Sequence, residues 1–239
     1  MITSSSNNTI KTLMKLKQKK YRKQLGYYLI EGEHLVNEAI KANQVDTLIS
    51  TKPLKTNLPV IEVSEEVMAK LAFTKSPSSI MAKCPLENKN ELIYKNRYLI
   101  LDDLQDPGNI GTLIRSALAF GIDQVILSNN CVDLYNDKLL RSMQGANFHI
   151  SCIYGDLKEI IDKLQAHDVT VVGSALENGK DIHLIEKQEK MAFIVGNEGN
   201  GMNPDILAKC DRIGYIPIQT IESLNAAIAG SILMYHFCS

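Results

Sequence analysis

The sequence predicts an α/β protein in which a small α/β domain precedes a larger domain built on a parallel sheet. Short apolar runs alternate with helix-like segments from residue 97 onward, which is the pattern of a parallel sheet covered on both faces. A polar stretch over residues 87–96 separates this region from a shorter set of similar elements. We therefore expect two domains, at residues 1–90 and 97–239.

The first domain combines helical spacing with short β-like runs. Leu35, Val36, Ala39 and Ile40 recur at helical spacing, and Ser64 is a suitable N-cap for a helix. We predict helices over residues 10–16 and 33–42 and after Ser64, and strands over residues 27–30, 45–50, 60–63 and 79–84.

The second domain alternates strands and helices more plainly. We predict strands over residues 98–101, 124–128, 150–154, 169–174, 192–195 and 214–218, and helices over residues 109–120, 136–144, 157–167, 204–209 and 223–235. The last of these helices is apolar or small on almost every side. It must therefore be buried in its own domain or against another subunit.

Composition excludes several classes of protein. The chain has 239 residues, 45% hydrophobic and 22% charged, which is ordinary for a globular protein. It lacks a long apolar run and a secretory signal, so we expect a soluble, cytoplasmic protein without membrane partners. Its five cysteines form no Cys-x-x-Cys pair, and we expect reduced structural thiols and no metal site.

Charge divides the two halves. Residues 1–96 carry 15 Lys and Arg against 9 Asp and Glu, for a net charge of +6, whereas the rest carries 11 against 18, for −7. Much of the positive charge lies between Lys11 and Lys23, with no acidic residue before Glu31. Such a cluster can bind nucleic-acid phosphates, although a solvated basic helix has the same composition.

Three loops follow predicted strands, where open parallel sheets hold their ligands. The first, residues 104–115, has a Pro-Gly turn, Asn109 as a possible cap, and Arg115 less than two turns later. The second, residues 195–204, is rich in glycine and contains Glu198; it lacks the phosphate-loop and dinucleotide patterns. In the third, residues 216–227, Ser223 is a candidate cap for the last helix. Each loop alone is compatible with a purely structural role.

Together the loops resemble a specific family. Asn-Ile-Gly-x-x-x-Arg at residues 109–115, Gly-Asn-Glu-Gly-x-Gly at 196–201, and Ile-Pro-Ile followed by Ser-Leu-Asn at 216–225 resemble the ordered motifs of the SpoU/TrmH family. These are S-adenosyl-L-methionine (AdoMet)-dependent RNA 2′-O-ribose methyltransferases of the SPOUT superfamily. The likeness continues through residues 141–146, and the first half resembles the family's ribosomal-protein-like substrate-binding domain.

The resemblance implies a trefoil knot in the second domain, a homodimer, and AdoMet as cofactor. The positions that match the family's cofactor contacts are Gly196, Ile216 and Leu224, with Ser174, Ala175, Asn197, Gly199, Ile218 and Ala227 as weaker candidates.

The resemblance also implies catalytic roles. Arg115 matches the catalytic arginine, which we expect to organise the phosphate and the 2′-oxygen because its pKa makes it a poor base. Asn109 and Glu198 are expected to shape the site, and Ser223 and Asn225 to order the third loop and place the substrate. RNA binding is expected from residues on the basic cluster and one further arginine: Lys11, Lys15, Lys19, Lys20, Arg22, Lys23 and Arg141.

The RNA substrate is expected to be ribosomal because of the separate first domain. Two alternatives stay open, a catalytically inactive RNA-binding assembly factor and a tRNA 2′-O-methyltransferase. A dinucleotide-dependent oxidoreductase is disfavoured, because the first strand-turn-helix of the second domain lacks the glycine fingerprint.

Overall fold

The computed structural model describes residues 1–87, 91–176, 178–220 and 223–238. Residues 88–90 of the predicted linker, and Ile221 and Glu222 of the third loop, lie outside the described residues. The chain forms two compact units. The first comprises Met1–Asn88 and Asp133–Phe148, and the second comprises Lys89–Val132 and His149–Ser239.

The first unit contains a four-stranded sheet with the strand order β1-β4-β2-β3. Strand β4 is antiparallel to β1 and β2, while β2 and β3 are parallel. Its elements up to residue 85 are α1 Asn8–Lys15, α2 Lys19–Leu25, β1 Tyr27–Glu31, α3 Glu33–Lys41, β2 Thr47–Ser50, β3 Val60–Glu62, α4 Glu65–Leu71 and β4 Ile80–Pro85. Helices α1 and α4 cover one core, in which Ile10 and Leu13 pack with Leu29 and Met81.

The basic cluster lies on two helices, whereas the sequence predicted one over residues 10–16. The side chain of Asn7 accepts from the N–H of Thr9 and begins α1. The second helix, α2, ends at Gly26, whose φ of 74° is one that glycine adopts without steric cost. The intervening turn lets both helices carry lysines at their surface.

The segment Asp133–Phe148 follows β6 in sequence and packs with the first unit. It contains α6 (Asp137–Met143) and a 3₁₀ turn at Ala146–Phe148. Tyr135 packs on Tyr28 with ring centroids 4.6 Å apart. The predicted division at residues 90–97 treats each domain as one continuous stretch of sequence. The first unit instead also includes the segment Asp133–Phe148, which lies within the sequence of the second domain.

The second unit contains a seven-stranded sheet of the order β7-β6-β5-β10-β8-β11-β9, in which every described pairing is parallel. Its remaining elements are β5 Arg97–Leu101, α5 Pro107–Ala119, β6 Gln124–Ser128, β7 Ser151–Gly155, α7 Leu157–Gln165, β8 Thr170–Ser174, β9 Lys180–Asp181, a 3₁₀ turn at Ile182–Leu184, β10 Met191–Val195, α8 Pro204–Leu207, β11 Arg212–Tyr215 and α9 Ala226–Cys238. The α/β class and the parallel sheet that the sequence predicted are confirmed. The trefoil knot stays a prediction.

Strands β6 and β10 are buried at every residue, as expected for strands with helices on both faces. Helices α5 and α9 pack closely, because Gly230 leaves room for Leu113 and Val195. Several boundaries differ from the sequence prediction, and one strand was not predicted. Strand β11 ends at Tyr215 and not at residue 218, and the two-residue strand β9 was missed because it is too short to show a pattern.

Among the described residues, no helix is both long enough and apolar enough to cross a bilayer.

Candidate functional site

Three loops meet at the carboxyl ends of strands of the large sheet. One follows β5 and leads into α5, one follows β10 and leads into α8, and one follows β11 and leads into α9. These are the loops that the sequence singled out. Parallel strands end at the same edge of a sheet, which brings together side chains that are about a hundred residues apart.

The first loop is closed by a cap that the sequence pattern assigned to the wrong residue. Asp106, not Asn109, is the N-cap of α5, and its Oδ1 accepts from the backbone N–H of Asn109 at 2.8 Å. Pro107 occupies the first turn, where its missing N–H costs no hydrogen bond. The side chain of Asn109 is consequently available for contacts outside its own helix.

Asn109 joins the three loops. Its Nδ2 donates to Oε1 of Glu198 in the second loop at 3.1 Å, and its Oδ1 accepts from Nδ2 of Asn225 in the third loop at 2.9 Å. A single amide thus uses its donor on one loop and its acceptor on the other. The amide orientation is determined by this pairing, because a carboxylate can only accept.

The Glu198 carboxylate also accepts from the backbone N–H groups of Asp106 at 3.2 Å and Gln105 at 3.4 Å. Partial burial opposes its ionisation, but the hydrogen bonds from Asn109 and from backbone N–H groups outweigh it and lower the pKa of Glu198. The carboxylate is therefore charged at neutral pH. A low pKa suits a fixed acceptor better than a general base.

The last helix is capped by Asn225, not by Ser223 as the sequence suggested. Oδ1 of Asn225 accepts from the backbone N–H of Ala227 at 2.9 Å and of Ile228 at 3.3 Å. Its amide thus orders α9 with the oxygen and reaches Asn109 with the nitrogen. Ser223 is exposed, lines the cavity described below, and makes no hydrogen bond to another described residue.

The glycine-rich loop is held in shape by Asn197. Its Oδ1 accepts from the N–H groups of Gly199 and Asn200, and its Nδ2 donates to the carbonyl oxygen of Asp103 at 2.8 Å. A Cβ atom on Gly196 would lie 2.4 Å from the backbone nitrogen of Met202. Only glycine fits there without moving the backbone of the same loop.

A buried carboxylate accepts a hydrogen bond from the backbone of this loop. Asp102, 3% exposed, accepts from the backbone N–H of Asn203 at 2.7 Å. Burial raises the pKa of Asp102, and the Asn203 hydrogen bond offsets part of that effect. Sequence reasoning missed Asp102, since a carboxylate directly after a strand carries no distinctive spacing.

A cavity of about 280 Å³ opens beside the loops. Eight of the nine residues proposed for the cofactor line it: Ser174, Ala175, Gly196, Asn197, Gly199, Ile216, Ile218 and Leu224. The ninth, Ala227, is buried and is not in its wall. Further lining residues that the sequence did not indicate are Leu176, Val195, Gly201, Gly214, Tyr215, Ala226, Ala229 and Leu233.

The missed lining residues have two origins. Gly214 and Tyr215 lie at the end of β11, outside the motif positions that match the family's cofactor contacts. Ala229 and Leu233 lie on α9, whose uniform apolar character gives no sign of which face meets the cavity.

Arg115 lies apart from these contacts. It is exposed on α5, does not line the cavity, and makes no hydrogen bond or ion pair with any residue that the structure describes. Since α5 rises about 1.5 Å per residue, Arg115 lies roughly 9 Å along the helix from Asn109. Its catalytic role stays a prediction.

The residues proposed for RNA binding fall into two groups. Lys11, Lys15, Lys19, Lys20 and Lys23 are exposed. Arg22 is buried and its guanidinium has partners within the first unit: it donates to the carbonyl oxygens of Leu16 and Lys17 and pairs with Asp133 at 2.5 Å. The sequence could not show that Arg22 lies on the inner face of α2, because its neighbours are also basic. Arg141 on α6 is half-buried and pairs with Asp137 at 2.8 Å.

Both parts of the chain are similar to known proteins. Residues 96–235 match the model of the SpoU rRNA Methylase family, and residues 7–82 match that of the MRM3-like substrate binding domain. The chain is 40% identical to 23S rRNA (guanosine(2553)-2′-O)-methyltransferase RlmP of Bacillus subtilis, over 98% of each chain. It is 29% identical to an uncharacterized tRNA/rRNA methyltransferase of Synechocystis sp., over 98% of this chain and 92% of that protein.

Among solved structures, an AdoMet-bound rRNA methyltransferase from Sinorhizobium meliloti superposes with a TM-score of 0.88 and 27% identity. The match covers 98% of this chain and 95% of that chain.

Proposed function

Since the chain belongs to the SpoU rRNA Methylase family, we propose that it is an AdoMet-dependent RNA methyltransferase that modifies a ribose 2′-hydroxyl of ribosomal RNA. The observation that carries the proposal is the junction of Asn109, Glu198 and Asn225 beside the cavity. It joins the three motif loops through side chains whose donors and acceptors match. The similar protein from Bacillus subtilis is named for this reaction on 23S rRNA.

The cavity residues fit AdoMet. Apolar side chains such as Ile216 and Leu224 suit the flat faces of adenine, and the close turn at Gly196 brings main-chain groups to the wall. Among described lining residues, Glu198 is the one that carries a charge, and its sign complements a sulfonium cation. When bound, AdoMet supplies an electrophilic methyl group on sulfur. The nine positions proposed from the sequence, other than Ala227, are those we expect to hold it.

The residues around the cavity orient the reactants. In-line transfer requires the 2′-oxygen, the methyl carbon and the sulfur to be aligned, and a fixed loop junction provides that alignment. Glu198 and Asn109 hold the junction, while Ser223 presents a free hydroxyl to the cavity for contact with the ribose. Arg115, always charged, is suited to bind the adjacent phosphate and stabilise developing negative charge on the 2′-oxygen.

We also propose that the protein acts as a homodimer through α5 and α9. A groove of about 280 Å³ on this face is lined by Thr112, Ala227, Ile228, Ser231, Ile232 and Tyr235. Ile228 is 52% and Tyr235 62% exposed, an unusual exposure for an almost wholly apolar helix. A second copy on this groove would bury them. Tyr235→Glu is expected to yield monomers in light scattering, whereas Tyr94→Glu, at a tyrosine 52% exposed elsewhere, is expected to leave dimers.

Methyl transfer tests the proposed reaction. Purified protein is incubated with methyl-labelled AdoMet and total RNA from cells that lack the gene, followed by mapping of 2′-O-methylated nucleotides. Label is expected in 23S rRNA, and the guanosine named for the similar protein is the first position to map. Arg115→Ala is expected to abolish transfer, whereas Arg212→Ala, at another exposed arginine of the same unit, is expected to retain it.

The same experiment separates the alternatives. Label confined to the tRNA fraction would replace the ribosomal substrate with tRNA. Absence of both transfer and AdoMet binding in folded protein would instead indicate an RNA-binding assembly factor without catalysis.

A further inference from the structure

A second cavity lies in the first unit, and none of its lining residues is among those assigned above to the cofactor. It has a volume of about 390 Å³, within the range of about 300–1,000 Å³ typical of small-molecule sites. Its wall comes from α1, the end of α2 and three strands. The lining residues are Asn8, Thr9, Thr12, Leu13, Leu16, Leu25, Tyr27, Ile61 and Lys83.

The lining combines an apolar floor with a polar rim. Leu13, Leu16 and Ile61 contribute aliphatic surface, and half-buried Tyr27 contributes an aromatic ring. At the rim, the side chains of Asn8 and Thr9 make no hydrogen bond to a residue that the structure describes. This arrangement suits a flat ligand that has apolar faces and hydrogen-bonding edges.

The charge of the lysine that lines the cavity is neutralised by a carboxylate. Lys83 Nζ lies 4.4 Å from the centroid of the Tyr27 ring and 2.7 Å from Oδ2 of Asp46. Burial opposes ionisation of Asp46, but hydrogen bonds from Lys83 and Thr47 outweigh it and lower its pKa. The lysine charge is thus compensated by an ionised partner. The cavity floor is therefore not itself a phosphate site.

Exposed lysines lie next to the cavity rim on α1, and further lysines are exposed on α2. None of these five lysines pairs with an acidic side chain in the described part of the chain: Lys11, Lys15, Lys19, Lys20 and Lys23. Lys11 and Lys15 lie one turn beyond Asn8 and Thr12, which line the cavity. Uncompensated lysines beside a neutral, partly aromatic cavity match a nucleotide strand, with phosphates outside and a base within.

We propose that this cavity binds one unpaired nucleobase of the RNA substrate, with the flanking phosphates held by Lys11 and Lys15 of α1. The inference rests on the proposed function in that it takes RNA as the substrate. It adds a defined base-binding site to the first unit. Such a site makes the protein prefer single-stranded RNA over duplex, because a paired base cannot enter the cavity.

Filling the cavity tests the proposal in the full-length protein. Thr12→Trp adds an indole at an exposed position of α1 that lines the cavity. Met14→Trp is the matched control, because Met14 is 36% exposed on the same helix and does not line the cavity. The probe is a fluorescein-labelled single-stranded RNA of mixed sequence, about 20 nucleotides long, and its duplex.

We expect Thr12→Trp to raise the Kd for the single strand about tenfold, the loss of one stacked base, and to leave the duplex Kd unchanged. Met14→Trp should change neither value by more than about twofold. The slope of log Kd against log salt concentration should be the same for Thr12→Trp and wild type. Replacing Lys11 and Lys15 by glutamine should reduce this slope by about 0.7 for each phosphate that the protein no longer neutralises. Equal Kd values for Thr12→Trp and Met14→Trp would overturn the proposal.

Crosslinking supplies a test that needs no variant. RNA containing 4-thiouridine is irradiated with wild-type protein, and crosslinked peptides are identified by mass spectrometry. Crosslinks are expected at the cavity wall, in α1 or at Leu25–Tyr27; crosslinks confined to other segments would contradict the proposal. Displacement of the RNA by millimolar free mononucleotide would identify a mononucleotide site instead.

The outcome is independent of methylation. If wild-type protein binds RNA and Thr12→Trp weakens that binding, the base site stands even where no methyl transfer is found. If methyl transfer occurs but the variant and its control bind RNA alike, the base site fails and the proposed reaction stands.

Discussion

The side-chain amide of Asn225 donates a hydrogen bond of 2.9 Å to Oδ1 of Asn109, across 116 positions of the sequence. On its other side, Asn109 donates to Glu198. The three residues come from separate loops, and Asn109 is the donor in one hydrogen bond and the acceptor in the other. Removing the central amide therefore disconnects both outer loops at once.

Asn109→Asp tests this junction with little change in shape. The new carboxylate still accepts from Asn225, but it faces Glu198 with two like charges and no donor. We expect methyl transfer to fall about 10- to 100-fold, as displaced catalytic loops typically cause. The double variant Asn109→Asp with Glu198→Gln restores a donor between the two positions and should recover part of the loss. Activity unchanged in the single variant would show that the junction is not required.

The glycine-rich loop offers a matched pair of substitutions. A Cβ at position 196 would overlap the backbone of Gly201 and Met202, whereas at position 199 its nearest neighbour is Asn197 Oδ1 at 3.7 Å. We expect Gly196→Ala to weaken AdoMet binding at least about tenfold, since the cavity wall must shift. Gly199→Ala keeps the main-chain groups through which Gly199 would contact AdoMet, and its added methyl group meets no close neighbour, so it should retain affinity within about twofold. Titration calorimetry with AdoMet measures both, and equal affinities would refute the assigned role of Gly196.

The depressed pKa of Glu198 predicts a pH dependence of stability. Its folded pKa lies below the unfolded value of about 4.3, so its contribution is present above that value and is lost as pH falls through the folded pKa. The urea midpoint of wild type should exceed that of Glu198→Gln by a constant amount above about pH 5 and converge with it as the pH falls below the folded pKa of Glu198. Glu186→Gln, at another exposed glutamate of the second unit, is the control. A difference that grows toward low pH would contradict the sign.

The sequence indicated the sheet and the three loops correctly because both depend on local patterns. Strands buried on both faces, such as β6 and β10, are continuous apolar runs, and the loop residues stand directly after them. What could not be predicted is which member of a polar cluster makes which contact. Asp106 and Asn109 are both good caps, and only the position of the opposing loops determines that Asp106 caps the helix while Asn109 reaches across.

The sequence also could not predict which side of a short helix is buried. Arg22 and Lys23 are adjacent in an unbroken basic stretch, so charge alone assigned both to RNA. The deciding partner, Asp133, lies 111 positions away in a segment that returns to the first unit. Likewise, Ala229 lines the cavity and Ala227 does not, because the two alanines lie on different faces of α9.

Adjacent substitutions in α2 separate stability from RNA binding. Arg22→Ala leaves Asp133 without its partner in a nearly buried pair and should lower the free energy of unfolding by about 3–5 kcal/mol. Lys23→Ala removes an exposed, unpaired charge and should change it by less than about 0.5 kcal/mol while weakening RNA binding. Urea denaturation and RNA titration measure the two effects. Comparable loss of stability in both variants would contradict the distinction.

Arg115 and the groove on α5 and α9 are related by helix geometry. Thr112 lines the groove, and Arg115, three residues later on α5, lies on the same face. A second copy seated in the groove would therefore meet Arg115. Because Arg115 does not line the cavity of its own chain, we expect it to act on the cavity of its partner.

A heterodimer of Arg115→Ala and Gly196→Ala chains, isolated with two different affinity tags, distinguishes the two arrangements. At an AdoMet concentration well below the Kd of the Gly196→Ala chain, both parent homodimers should be nearly inactive. If Arg115 acts across the interface, one of the two sites combines an intact cavity with an intact arginine, and the heterodimer should show about half of wild-type methyl transfer. If Arg115 acts within its own chain, each site lacks one component and activity stays at the level of the parents, which would disprove the shared site.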